Sequence, residues 1–213
     1  MTAPILFDYF RSSACYRVRI ALNLKALAYR SVAVDLRDGE QKRGEYRVLN
    51  PQGLVPMLEI DGVRIVQSLA IIDYLDSTRP QPRLIPVDPA DRAHVLALAL
   101  LVACDIHPLN NLRVLKYLAG PLGEEEEARD TWYRHWVREG FVALEGMAAD
   151  RAGRFLFGDS PTLADICLVP QMFNARRLNT PLEDFPRLVR IDAEASRLEP
   201  FAAAHPDRVA PAA

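Results

Sequence analysis

Along the first 78 residues the spacing of apolar positions changes several times. Pro4 to Phe10 is an apolar, aromatic run that reads as a strand, while Ala14 to Leu27 is rich in Ala, Leu and Arg, lacks Gly and Pro, and reads as a helix. A second strand is predicted over 29–35, an amphipathic segment near 41–49, and a third strand over Val55 to Ile60. Asp61-Gly62 separates that strand from Val63 to Val66, the short-range signature of a hairpin, and Ser68 to Ser77 then reads as a helix. The order βαβ, α, ββ, α predicts a mixed four-stranded sheet covered by helices, its parallel pair from the βαβ unit and an antiparallel pair from the hairpin.

The pattern then changes. The run from Arg79 through Pro89 carries four prolines, cannot continue a helix and predicts an extended linker over 79–87. Beyond it the strand signals stop, and 90–119 and 124–149 read as two long helices. Thr162-Leu163-Ala164-Asp165 resembles a capping box, with Asp where Glu is usual, and should start a buried helix. The tail from Pro206 to Ala213 offers little to pack. The expected organisation is α+β, with a first domain over 1–80 and an all-helical one over 88–213.

Composition limits the function classes. Lys and Arg number 26 against 28 Asp and Glu, a formal charge of −2, which argues against a nucleic-acid binder driven by overall basicity. No apolar run approaches the roughly 20 residues of a membrane span, and the N-terminus lacks a signal-peptide pattern, so the expectation is a cytoplasmic protein with no membrane partner. Cys15, Cys104 and Cys167 are widely spaced and form no CxxC pair, so neither a disulfide framework nor a metal site is indicated. Charge is nevertheless uneven. Between Asp8 and Asp35 every charged residue is basic (Arg11, Arg17, Arg19, Lys25, Arg30); so are Arg113 and Lys116 between Asp105 and Glu124, and Arg176 and Arg177 between Asp165 and Glu183. Brought together, these segments would form an anion pocket; taken singly, each reads as chance clustering at the surface.

Ser12 and Ser13 stand where the first strand gives way to the first helix. A serine there caps free N–H groups, and the helix N-terminus favours a negative group beside it, so a thiolate held against either hydroxyl would gain over its thiol. From this segment alone, capping and anion binding stand level. Gln67-Ser68, at the start of a later helix, offers a similar junction.

The segments RSSACYRVRIALNLK, NPQGLVPML, QSLAIIDYL, CDIHPLNNLRVLKYL and GDSPTLADICLVPQ, spread over nearly the whole chain, resemble those of the zeta-class glutathione transferases, the family of maleylacetoacetate and maleylpyruvate isomerases. The first and fourth discriminate the class; the others mark the wider superfamily. One position departs from the class, which usually reads Ser-Ser-Cys at the active loop: Ala14 stands third here and Cys15 follows on another face, so no catalytic role falls to it. The resemblance implies the cytosolic glutathione transferase fold, with a thioredoxin-like N-terminal domain and an all-α C-terminal domain, and a homodimer. It implies glutathione as cofactor, held by Ser12, Gln41, Val55, Pro56, Gln67, Ser68, His107 and Asn111, with a cis bond at Val55-Pro56 and the γ-glutamyl carboxylate at Gln67-Ser68.

The implied reaction is cis-trans isomerisation of a small dicarboxylate keto acid: maleylacetoacetate, in aromatic amino-acid catabolism, or alternatively maleylpyruvate. A thiolate adds to the double bond, the resulting single bond rotates, and elimination returns the thiolate. A thiol resembling free cysteine is only a few per cent ionised near pH 7. One charge-assisted hydrogen bond from Ser12, with Ser13 the second candidate, and the helix dipole supply about 2–4 kcal/mol toward ionisation. Arg11 and Arg177, with Arg176 as substitute, are the candidates for the substrate's carboxylates, because planar guanidinium forks suit them. A broader transferase acting on small halogenated acids and a non-catalytic interaction protein are the competing readings, which turnover of a haloacid and failure to bind glutathione would respectively favour.

Overall fold

The computed structural model describes residues 3–211, which divide into two compact units: one holds the chain up to Leu84 together with Arg197 onward, the other Ile85–Ser196. In the first unit β1 (Ile5–Asp8), β2 (Arg30–Ala33), β3 (Met57–Ile60) and β4 (Val63–Val66) form one sheet in the order β2-β1-β3-β4. β1 pairs parallel with β2 and antiparallel with β3, and β3 pairs antiparallel with β4, as the strand and hairpin signals require. α1 (Ser13–Leu24), α2 (Gly44–Leu49) and α3 (Ser68–Thr78) complete this half, and a short 3₁₀ turn over Glu40–Lys42 precedes α2.

Cys15 to Leu22 of α1 are all buried, so this helix has no solvated face and its two arginines inside that stretch lie in the core. Alternation along β1 puts Leu6 and Asp8 on the same buried face. Asp8 there accepts from Arg19 NH1 at 2.7 Å, while Arg19 Nε and NH2 donate to the carbonyls of Ala204 and Phe10. Lys25, at the end of α1, pairs with buried Asp76 at 2.7 Å. Asp76 also accepts from the N–H of Leu84, so the proline-rich stretch expected as a linker over 79–87 is fastened to the first unit as far as Leu84.

The second unit contains α4 (Pro89–Leu100), a π-helical segment Leu101–Ile106, α5 (Leu112–Ala119), α6 (Glu126–Met147), α7 (Leu163–Arg177) and α8 (Pro186–Ser196). The helix expected over 90–119 is therefore interrupted. α7 is the core element, buried at nearly every position, and begins at the expected capping box: the Thr162 N–H donates to Asp165 and the Ala164 N–H to the Thr162 hydroxyl. The last residues differ from expectation. α9 (Glu199–Ala203) and α10 (Pro206–Val209) belong with the first unit, and Phe201 and Pro206 are buried, so the stretch from Pro206 is not an unpacked tail; Ala212 and Ala213 lie outside the described residues. Among the described residues no helix is long and apolar enough to cross a membrane.

Candidate active site

Strand direction decides which loops meet. β1 runs parallel to β2 and antiparallel to β3, with Phe7 opposite Met57, and Met57 also faces Val66 of β4. The residues after β1, those before β3 and those after β4 therefore emerge at one end of the sheet. That end carries Ser12, Val55-Pro56 and Gln67-Ser68, and the turn bearing Gln41 follows β2 at the same end.

Ser12 is half-buried and caps α1, its Oγ accepting from the Cys15 N–H at 3.3 Å. Its own hydroxyl hydrogen has no acceptor among the described residues and remains available to an anion. Ser13, one residue on, is buried. Burial pushes the Cys15 thiol well above its ordinary range, with the nearby Asp8 charge adding to the rise, so it stays protonated and is no nucleophile. Arg11 is exposed, its guanidinium 5.1 Å from the centre of the Phe10 ring.

The Val55-Pro56 bond is cis. Neither the N–H nor the C=O of Val55 is hydrogen-bonded to another described residue, which leaves an edge of backbone for an extended peptide. The turn before it is held by Asn50 Nδ2 and the Tyr46 hydroxyl, which both donate to the Leu54 carbonyl. Gly53 is needed within that turn: its φ is +63°, and a Cβ there would stand 2.9 Å from the Gln41 carbonyl oxygen. Gln41 is buried, and its side-chain Oε1 has no donor among the described residues.

Gln67 has φ 70° and precedes α3 without capping it; its Nε2 donates to Gln52 Oε1 at 2.8 Å. The N–H groups of Ser68, Leu69 and Ala70 consequently point out of the helix start with no partner among the described residues. Ser68 is buried, and its Oγ accepts from Arg17 NH1 at 3.4 Å.

In the second unit His107 follows the π-helical segment directly, and its Nε2 lies 3.4 Å from Asn111 Nδ2. Asn111 also caps α5, accepting from the Arg113 N–H. The two arginines ending α7 part company. Arg176 is bound to the buried Asp192 carboxylate at 2.6 Å. Arg177 is exposed, has no carboxylate partner among the described residues, and hydrogen-bonds the Tyr133 side chain. Tyr133 is itself buried, its hydroxyl pushed up to about 12 chiefly by burial. Three residues of these arrangements carry no site role in the sequence analysis: Gln52, which holds Gln67; Tyr133; and Arg17, which stands there only as one of a basic run. Gln52 lies inside NPQGLVPML and was open to notice there; the other two depend on tertiary contacts.

Comparison with known proteins adds to this geometry. Residues 6–83 match the family model "Glutathione S-transferase, N-terminal domain" and residues 126–198 "Glutathione S-transferase, C-terminal domain". The chain is 50% identical over 208 residues to the maleylacetoacetate isomerase of Rhizobium meliloti, covering 97% of this chain and 98% of that one. Among solved structures it resembles maleylacetoacetate isomerase from Anaeromyxobacter dehalogenans, with bound dicarboxyethyl glutathione and citrate in its active site, at 43% identity, TM-score 0.88, and coverage of 99% of this chain and 98% of that one. It also resembles the holo structure of a bacterial maleylpyruvate isomerase of the zeta class, at 42% identity, TM-score 0.95, and coverage of 98% and 100%.

Proposed function

The chain belongs to the zeta-class glutathione transferases, the family of maleylacetoacetate and maleylpyruvate isomerases, and on that premise we propose that it isomerises maleylacetoacetate to fumarylacetoacetate with glutathione as cofactor. The observation that carries this reading is the convergence, at one end of one sheet, of an uncommitted Ser12 hydroxyl, an unpaired Val55 backbone and an uncapped α3 N-terminus. These features fit a γ-linked tripeptide: a backbone edge for the peptide, helix N–H groups for its carboxylate, and a hydroxyl for its sulfur. Gln41, whose buried Oε1 lacks a donor, adds an acceptor suited to an amide or ammonium group.

When bound, glutathione supplies the sulfur nucleophile whose reversible addition lets the double bond rotate. Ser12 donates its hydroxyl hydrogen to that sulfur and, with the dipole of α1, favours the thiolate. Val55 and Pro56 hold the peptide extended, and Gln67 and Ser68 anchor its γ-glutamyl end. Arg177, which no carboxylate of the described residues neutralises, binds a carboxylate of the substrate, and Arg11 assists; Arg176, occupied by Asp192, is the weaker candidate. His107 and Asn111 add polar contacts to glutathione. These cations also stabilise enolate charge as it develops on the carbonyl side of the substrate.

The deciding assay follows the ultraviolet absorbance of maleylacetoacetate and of maleylpyruvate with and without glutathione. Turnover of maleylacetoacetate only when glutathione is present is expected, and turnover without it rejects the proposal. Preference for maleylpyruvate would move the assignment to the sister reaction. A homodimer working in the cytoplasm is the assembly we infer from the family, and light scattering on the purified chain tests the dimer.

A further inference from the structure

Two arginines of α1 and the lysine that caps its C-terminus are buried. Arg19 and Lys25 each have a carboxylate, Asp8 and Asp76 respectively, at 2.7 Å. Arg17 has none. It is 2% exposed, its NH1 donates to Ser68 Oγ at 3.4 Å, and its Nε and NH2 are buried with no hydrogen-bond partner among the described residues. A buried guanidinium without a counter-ion opposes folding, so a chain that retains one at the mouth of an uncapped helix has a charge waiting to be matched. The α3 N-terminus faces the same way: three unpaired N–H groups and the positive end of the helix dipole.

Building on the glutathione reading above, we propose that Arg17 is a positioning residue for the cofactor's γ-glutamyl α-carboxylate, acting from behind Ser68. A hydroxyl has one hydrogen and two lone pairs. Because the Arg17 NH1 takes a lone pair of Ser68 Oγ, the Ser68 hydrogen is turned away from the guanidinium and outward to an acceptor. Arg17 thus fixes Ser68 as a donor and places a full positive charge one hydroxyl behind the carboxylate, in surroundings from which water is excluded and where such a charge acts strongly. The basic run between Asp8 and Asp35 then divides by role: Arg19 and Lys25 serve the fold, while Arg17 serves the ligand.

The test is calorimetric binding of glutathione and of 4-aminobutyryl-cysteinylglycine, the same tripeptide without the α-carboxylate, to the unaltered chain, Arg17→Met and Arg17→Lys. The unaltered chain is expected to prefer glutathione by about tenfold or more, which is about 1.4 kcal/mol. In Arg17→Met that preference should fall to within about threefold through weaker glutathione binding, with affinity for the decarboxylated peptide changed by less than about twofold, and Arg17→Lys should restore most of it. Without any ligand, Arg17→Met should melt at or above the unaltered chain, since it removes an uncompensated buried charge. The inference is overturned by an equal loss for both peptides, by an unchanged preference, by Lys failing to rescue, or by an Arg17→Met chain that melts lower or cannot be recovered folded, since the guanidinium would then serve the fold. If the unaltered chain binds neither peptide, the glutathione reading itself has failed; binding of both with no discrimination strikes only the role of Arg17.

Discussion

Ser12 and Ser13 are adjacent in sequence but differ in reach. Ser12 is half-buried with its hydroxyl hydrogen uncommitted, and Ser13 is buried. Ser12→Ala is therefore expected to cut the isomerase rate by about 10- to 150-fold, the worth of one charge-assisted hydrogen bond, and to raise the pKa of bound glutathione's thiol, read from thiolate absorbance near 240 nm. Ser13→Ala should cost activity less than Ser12→Ala, and Cys15→Ala should leave the thiolate signal in place; the reverse order for the serines would transfer the role to Ser13. A second residue-scale expectation concerns Asp165, whose carboxyl burial raises from 3.8 to about 6 against the pull of the Leu156 N–H, the Thr162 N–H and the Thr162 hydroxyl. With the folded value above the unfolded one, the folded chain holds this proton more tightly, so the site's stabilisation is complete below about pH 4 and is lost as pH rises through about 6, on the order of 3 kcal/mol in all. Asp165→Asn cannot titrate, so denaturant titrations should show the advantage of Asp over Asn shrinking between about pH 4 and pH 7. An advantage that grows with pH would mean that the carboxylate, held by its three donors, is the stabilising form. At this scale the helix starts at Ser12 and Ser68 were legible from local sequence, and the cis Val55-Pro56 bond from the family resemblance. Arg17 was not, since whether a buried arginine finds a carboxylate depends on residues far away in the chain.

The π-helical segment Leu101–Ile106 shows what periodicity hides. Apolar residues recur through 90–119 at helical spacing, and one extra residue per turn shifts that pattern too little to be seen, so a single helix was the natural reading. The structure also shows what accommodates the bulge. Gly140 of α6 lies against Ile106, and a Cβ at Gly140 would stand 2.2 Å from the Ile106 Cγ1, inside contact distance of a side chain that is 1% exposed. In an open helix Gly→Ala gains about 1 kcal/mol; at Gly140 that gain should be outweighed by overpacking of about 1–3 kcal/mol. Because Ile106 adjoins His107, Gly140→Ala should also raise the KM for glutathione. Combining it with Ile106→Ala removes the clashing atoms, so the double variant should be more stable than the two single losses added together, a coupling that thermal or urea unfolding of all four chains measures. Strict additivity would mean that α6 and the π segment move apart freely and that Gly140 serves no packing role. The capping box at Thr162 was readable in advance because it is four residues long; the Gly140 contact spans the gap between two helices and leaves no local trace.

The chain as a whole leaves its first unit at Leu84 and returns to it at Arg197. Patterning alone suggested two consecutive domains, because α9 and α10 are too short to announce where they pack. What draws the end back is visible on α1. Arg19 Nε donates to the Ala204 carbonyl at 3.0 Å, Asn23 Nδ2 to the Pro200 carbonyl at 3.0 Å, and the Tyr16 hydroxyl to the Phe201 carbonyl at 3.5 Å, while Phe201 is fully buried. The first unit is therefore incomplete until the last residues are in place, and α1, whose N-terminus carries Ser12 and Arg17, depends on them. A chain ending at Ser196 leaves three donors of α1 without their acceptors and its apolar face without Phe201. At about 1–3 kcal/mol for each lost partner and about 1.5–3 for the aromatic ring, the loss is comparable to the whole stability of a typical domain. Amide exchange should locate the damage: in the shortened chain the α1 amides should lose protection by at least about a hundredfold, and glutathione binding should fall with them. Unchanged α1 protection would mean that the returning segment merely lies on the surface, and that the anion-binding end of the sheet is built by the first 84 residues alone.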